Sequence, residues 1–271
     1  MPRTARCGGY PLTEALAPLR ERYAHWLQLD PSQVRDDREE AAQDIRAMQL
    51  VLRMERATPP SWHRALAAAA TGAAALCADP RSEPGGEWYE AIRDYCRGHI
   101  RKVTRRARGT HWVAAQELPG ITVDIDGTTV RALLPGLVSE LDPRISRLQV
   151  GGTDVEPDEP AAADADLAVL HVWLAPTPAM TLGKAMAQAG HAGMIAVALL
   201  ADADPDVLGE WIAAGLPAQA RRASAGEWSG LTARSTDPAG FAASGTLAVR
   251  DAGFTEVEPG TITVIAQAPA G

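Results

Sequence analysis

Several things are scarce in these 271 residues, and each scarcity excludes something. There are three cysteines, Cys7, Cys77 and Cys96, an odd count without metal-ligand spacing. Disulfides and cysteine-held metals are therefore not expected, and a reducing, cytoplasmic setting is. The first residues lack the apolar stretch of a signal peptide. The longest apolar run, 65–78, is mostly alanine and too short to span a bilayer, so no membrane partner is expected. Aromatic residues make up only 5% of the chain. Neither an HExxH helix, a GxSxG elbow nor a GxxxxGK[ST] phosphate loop occurs, which removes the commonest metal, serine-nucleophile and nucleotide chemistries and leaves no cofactor or metal implied. Basic residues are 26, but only Lys102 and Lys184 are lysines. Against an arginine background, each lysine merits inspection.

What is present is an acidic chain, of net charge −8, that suits one large domain or two ordinary ones. That balance argues against a sequence-wide nucleic-acid coat and leaves room for a local basic patch. Residues 12–28 carry apolar positions near a 3.6-residue period, as do 34–57, and 61–78 form a small-residue helix. A further helix is expected over 87–106. Arg97, Arg101, Lys102, Arg105, Arg106 and Arg108 would lie along it, six cations in twelve residues. The period then becomes two. Residues 121–125 and 128–134, joined by Asp126-Gly127, carry a hairpin signal. Six acids in 154–166, interspersed with alanine and proline, read as a solvated linker.

After the linker, 167–174 is a continuous apolar run suited to a buried strand. Helices are expected over 183–200 and 206–214, strands over 218–223, 246–250 and 261–267, and Ser224-Ala-Gly-Glu227 has the capping-box pattern. The expected organisation is a mainly α-helical domain (1–110), a small β-hairpin segment (111–153), the linker (154–166) and an α/β domain (167–271). No internal repeat is evident.

One constellation carries chemistry. Lys184, Gln188 and His191 are spaced i, i+4, i+7 and share a helix face otherwise flanked by Ala, Gly and Met. Lys184 sits in the first turn, where the helix dipole disfavours a cation. Asp251 follows a strand that ends at Arg250, the sheet-tip position where open α/β sheets bind ligands. Thr255 follows in the loop, and Pro259-Gly260 turns into the last strand, which contains Thr263.

These stretches resemble a known family. Gly183-Lys184, Ala187-Gln188 and His191-Ala192, followed by Trp211, Gly215 and Pro217 and then by Asp251-Ala-Gly, Thr255, Pro259-Gly260 and Thr263, are similar to the ordered motifs of the peptidyl-tRNA hydrolases of the archaeal and eukaryotic type. The resemblance covers about 167–269. It implies a four-stranded mixed sheet with helices on both faces, and a metal-free hydrolase that cleaves the ester joining a peptide to tRNA. It also implies a homodimer. Lys184, Asp251 and Thr255 become the expected catalytic residues, and Gln188, His191, Arg250 and Thr263 the substrate-binding ones. Asp251 would act on water, directly or through Thr255. Lys184 would stabilise developing negative charge or hold a phosphate or ribose, and Gln188 would orient the carbonyl. A structural Lys184–Asp251 salt bridge is the bland alternative, and His191 reads equally well as a buried, hydrogen-bonded side chain.

The sequence departs from the family pattern at Ala175, Thr177, Leu182 and Phe254, where it usually carries Arg, Asp, Lys and Arg. From Asp166 onward there are five bases against ten acids. The cations between Arg97 and Arg108 are then either a solvated face or the phosphate-binding surface that the C-terminal domain lacks. Two other functions stay open: a tRNA- or partner-binding protein without turnover, and an acyl-tRNA-dependent transferase.

Overall fold

The structure is a computed structural model that describes residues 11–34, 40–153, 155–158, 168–236, 240–254 and 256–269. Helix α1 (Ala17–Gln28) precedes a first αβ unit: β1 (Arg46–Arg53), α2 (Trp62–Ala78), α3 (Tyr89–Arg97), β2 (Arg101–Ala107), α4 (Gly109–Gln116), β3 (Gly120–Ile125), β4 (Thr128–Leu133), β5 (Gly136–Leu137) and α5 (Pro143–Ser146). A second unit follows: β6 (Leu170–Leu174), α6 (Leu182–Ala203), α7 (Pro205–Ala213), β7 (Ala218–Arg222), α8 (Ala225–Ser235), α9 (Gly240–Ser244), β8 (Thr246–Arg250) and β9 (Ile262–Gln267). The C-terminal sheet has the expected four mixed strands, in the order β7-β6-β9-β8. Its helices and strands fall close to the expected spans.

The N-terminal region differs from expectation. In place of a helix over 34–57 stands β1, and the helix expected over 87–106 ends at Arg97, with β2 beginning at Arg101. Both strands join the expected hairpin in one sheet, β2-β1-β4-β3, with β5 also paired to β1. The sheet therefore continues across residue 110 rather than following a mainly helical domain. The physical reason is burial. β1 lies between β2 and β4 and is covered on both faces, so its apolar run does not alternate and cannot be distinguished by period from a buried helix. The α3–β2 break comes at Gly98-His99-Ile100, where Ile100 takes a left-handed backbone (φ 47°). The hairpin itself is as expected, with Asp126 and Gly127 both at positive φ (47° and 84°).

The two sheets have one topology. In each, the first strand pairs parallel with the second and antiparallel with the fourth, which pairs antiparallel with the third. A structural repeat is thus present, although no internal repeat is evident in the sequence. Individual residues correspond. Ser61 and Thr181 cap α2 and α6 by accepting from the backbone N–H of Arg64 and Lys184. Tyr95 and Trp211, both buried, donate to carbonyls of Ile100 and Pro217 at the entry to the second strand. Ile100 and Leu216 occupy that same entry, both with left-handed φ (47° and 58°). Aspartates immediately follow the third strands, Asp126 after β3 and Asp251 after β8.

The repeats pack as a two-fold pair. α2 lies on β3 and β4 of its own sheet and reaches β7 of the other, while α6 lies on β8 and β9 and reaches β2. The two helices meet each other so closely that a Cβ on Gly193 would stand 2.2 Å from the Ala70 carbonyl oxygen. One apolar cluster fills this space and draws on both units, from Leu50 and Leu66 to Ile195 and Val264. α6 is long and apolar enough to cross a bilayer, yet most of it is enclosed here.

Candidate active site

The start of α6 is built to present Lys184 inward. Thr181 caps the helix, and Glu256 from the β8–β9 loop accepts from both the Thr181 backbone N–H (3.0 Å) and its hydroxyl (2.7 Å). This ties the loop carrying Asp251 to the helix carrying Lys184. The Lys184 ammonium forms an ion pair with Asp251 Oδ2, with side-chain exposures of 12% and 6%. The same oxygen accepts from the Gln188 amide (2.7 Å), and Oδ1 accepts from the Gly253 backbone N–H (2.8 Å). Thr263 completes the chain of contacts by donating to Gln188 Oε1 (2.6 Å), which fixes the amide so that its nitrogen faces Asp251. Lys184, Gln188, Asp251 and Thr263 therefore form one network; Gly253, which joins it, stands in the sequence motif Asp251-Ala-Gly but was given no role of its own there. Its N–H is a backbone group and carries no sequence signal.

A cavity of about 590 Å³ adjoins this network. Its lining comes from both repeats and from α1: Lys184, Gln188 and Asp251 on one side, Tyr23, Ile100 and Lys102 on another. Phe254 and Val150, both exposed, also line it. The N-terminal unit thus supplies a wall of the site. Tyr23 anchors α1 there. Its buried hydroxyl donates to the Ala248 carbonyl (3.0 Å) and accepts from the Ala248 N–H (2.8 Å), and burial pushes its pKa upward. Arg250 helps from the other side, donating to the carbonyls of Trp26 and Leu27 (2.9 and 3.0 Å). Expected to bind substrate, Arg250 spends these donors on fastening α1 to the sheet.

His191 lines the same cavity, further along α6 from Lys184. Its Nδ1 lies 3.4 Å from the amine of Lys102. Burial, reinforced by the charges of Lys102 and Lys184, holds its pKa well below the usual histidine range, so the ring is neutral. Thr255 lies outside the described residues.

The six cations between Arg97 and Arg108 do not form one face. Arg97 ends α3 on the surface near Asp94, and Arg108 lies beyond β2. On β2, side chains alternate. Lys102 and Thr104 point at α6, where Thr104 donates to the Gly183 carbonyl (2.8 Å). Arg105 turns away to Gln49 (2.8 Å) and the Leu148 carbonyl (2.8 Å), and Arg106 bonds Gln149. Arg101 pairs with Glu40 and stands over the Phe254 ring, 4.9 Å from its centroid, beside the cavity. Lys102 is thus an inward residue of the cavity, where a place on a basic surface was expected.

The second repeat unit's site has a counterpart in the first. Arg64 and Asp126, at the places of Lys184 and Asp251, are paired at 3.1 Å, but with exposures of 41% and 73%. Ala68 stands where Gln188 does, four residues along the helix. The counterpart pair is a surface ion pair without the supporting amide. Arg53, the last residue of β1, pairs with Glu55 just beyond the strand at 3.1 Å. Among the described residues no group of histidine, cysteine and acidic side chains could hold a metal.

Fold and site together define a class: a two-repeat α/β protein with a buried lysine–aspartate pair, held by an amide, at a cavity between the repeats. The family whose model matches is Peptidyl-tRNA hydrolase PTH2, over residues 170–271. The second unit is therefore similar to that family, and the match does not extend into the first. No curated protein and no solved structure matches the chain.

Proposed function

We propose that the protein hydrolyses the ester bond of peptidyl-tRNA or N-blocked aminoacyl-tRNA and releases free tRNA. The observation that carries this reading is the convergence of Lys184 and Asp251, 67 residues apart in sequence, on one cavity. A carboxylate oxygen can accept two hydrogen bonds. Oδ1 of Asp251 takes one from Gly253, which leaves capacity for a water molecule. Asp251 draws a proton from that water as its oxygen attacks the ester carbonyl, and the proton then passes to the departing ribose oxygen. The ammonium of Lys184 and the amide of Gln188 supply the positive potential that the developing oxyanion needs. Thr263 orients Gln188 rather than touching substrate.

One observation supports a tRNA substrate. The second unit lacks an arginine at Phe254, where the family pattern carries one, and the first unit sets the Arg101 guanidinium over that ring. The pairing of two like units within one chain supports the reading that the fold supplies internally the two-fold arrangement that the resemblance implies for a homodimer. Incubation of the full chain with N-acetyl-aminoacyl-tRNA tests the proposal. Release of the N-acetyl amino acid is expected. Binding without release would leave a tRNA-binding protein, and release only with an added amine would leave a transferase.

A further inference from the structure

Lys102 is a partly buried cation for which the proposed chemistry has no use. It comes from the first repeat, is held between β2 and α6, and lines the cavity. Its amine lies 3.3 Å from the Tyr95 hydroxyl, 3.4 Å from His191 Nδ1 and 3.4 Å from Met194 Sδ. Cys77 and Cys96 are its further neighbours. None of these is an anion. Burial pushes the thiol of Cys77 up to about 12 and that of Cys96 well above its usual range, and His191 is neutral. Among the described residues no carboxylate pairs with it. An ammonium taken from water without a counter-charge is costly, and the cost is recovered when an anion enters beside it.

We infer that Lys102 forms an anion subsite at the inner end of the cavity, which selects acyl groups that carry a carboxylate remote from the ester. Lys102 meets α6 at His191, seven residues beyond Lys184, a rise of about 10.5 Å along the helix. The subsite is therefore separate from the reacting carbonyl. It lies among core side chains, which favours an acyl carboxylate over a phosphate of the tRNA end. Tyr23, Ile100 and Ile195 give the path between the two ends an apolar lining suited to an acyl chain. The inference rests on the reading that acyl groups enter this cavity, but its test does not require turnover.

The test is calorimetric titration of the full chain with N-succinyl-leucine and with its terminal monoamide. The acid is expected to bind at least tenfold tighter to the wild type. The preference should disappear in Lys102→Met and persist in Lys102→Arg. Equal affinities in the wild type, or a preference that survives Lys102→Met, would overturn the subsite. So would Lys102-dependent binding of adenosine 5′-monophosphate in place of the acid, which would assign the charge to the tRNA end. If Lys102→Met fails to fold, lysine ¹⁵Nζ resonances decide, because the chain has only two lysines. The acid, but not the amide, should raise the pH at which the Lys102 amine titrates; an unmoved titration contradicts the inference. A chain that shows the acid preference but does not hydrolyse acyl-tRNA would keep the subsite and discard the proposed reaction.

Discussion

Lys102 and Lys184, the two lysines of the chain, line one cavity from opposite repeats of the fold. One is paired with a carboxylate, and among the described residues the other has no carboxylate partner. That asymmetry separates the chemistry assigned to Lys184 from the selectivity assigned to Lys102.

It also has a consequence for stability. Burial lowers the pKa of Lys102 from 10.5 to about 8. Between these values the unfolded chain holds a proton that the folded chain has lost, so stability rises with pH across that window. Below about pH 8 the full penalty is present. Lys102→Met should therefore be more stable than the wild type at pH 7, by up to roughly 3 kcal/mol, and the gain should fade towards pH 10.5. Urea unfolding at pH 7, 9 and 10.5 measures it. A destabilised variant, or a gain independent of pH, would mean that the amine has a partner in the folded state.

Thr263 acts through Gln188. Thr263→Val would leave the buried Gln188 Oε1 without its donor, at a cost of about 1–3 kcal/mol. Misorientation of the amide should also slow turnover about tenfold, equivalent to roughly 1.4 kcal/mol in the barrier. Thr263→Ser restores the hydroxyl and should restore both quantities. If Val and Ser variants turn over alike, Gln188 does not need this support.

The contact between repeats is equally specific. Gly193→Ala places a methyl group 2.2 Å from the Ala70 carbonyl oxygen, and α2 and α6 must separate to accept it. A loss of about 1–3 kcal/mol is expected, still in a single unfolding transition because the two units share one core. An unchanged denaturation midpoint would contradict the close helix crossing.

Much of the second unit was legible in the sequence because its signals are local. Thr181 caps α6, Ser224 and Glu227 form the expected box, and Lys184, Gln188 and His191 share a helix face that the structure confirms. The first unit was not legible for two reasons. β1 is buried on both sides and so lacks alternation, and α3 gives way to β2 at a left-handed isoleucine, a conformation that no residue preference announces. The repeat was hidden because its matched positions conserve geometry rather than side-chain identity: tyrosine against tryptophan, isoleucine against leucine, arginine against lysine. The inward turn of Lys102 follows from β2 being a strand, so the basic stripe dissolved once that helix did.

Arg101 is the other cation of that stripe that lines the cavity. If it contacts a tRNA phosphate, Arg101→Gln should weaken tRNA binding and lower the slope of log affinity against log salt by about one. Filter binding between 50 and 200 mM salt would register it. Affinity and slope identical to the wild type would leave Arg101 as the partner of Glu40 only.

The Lys184–Asp251 pair is expected to perform chemistry rather than only to hold the fold. Lys184→Gln separates these roles, since the amide can still donate to Asp251 while the charge is gone. Turnover of N-acetyl-aminoacyl-tRNA by this variant, measured with its unfolding free energy, is the most direct test. A fall in rate of about a hundredfold or more, with stability within about 1–2 kcal/mol of the wild type, is the predicted result. Undiminished turnover in the folded variant would contradict it.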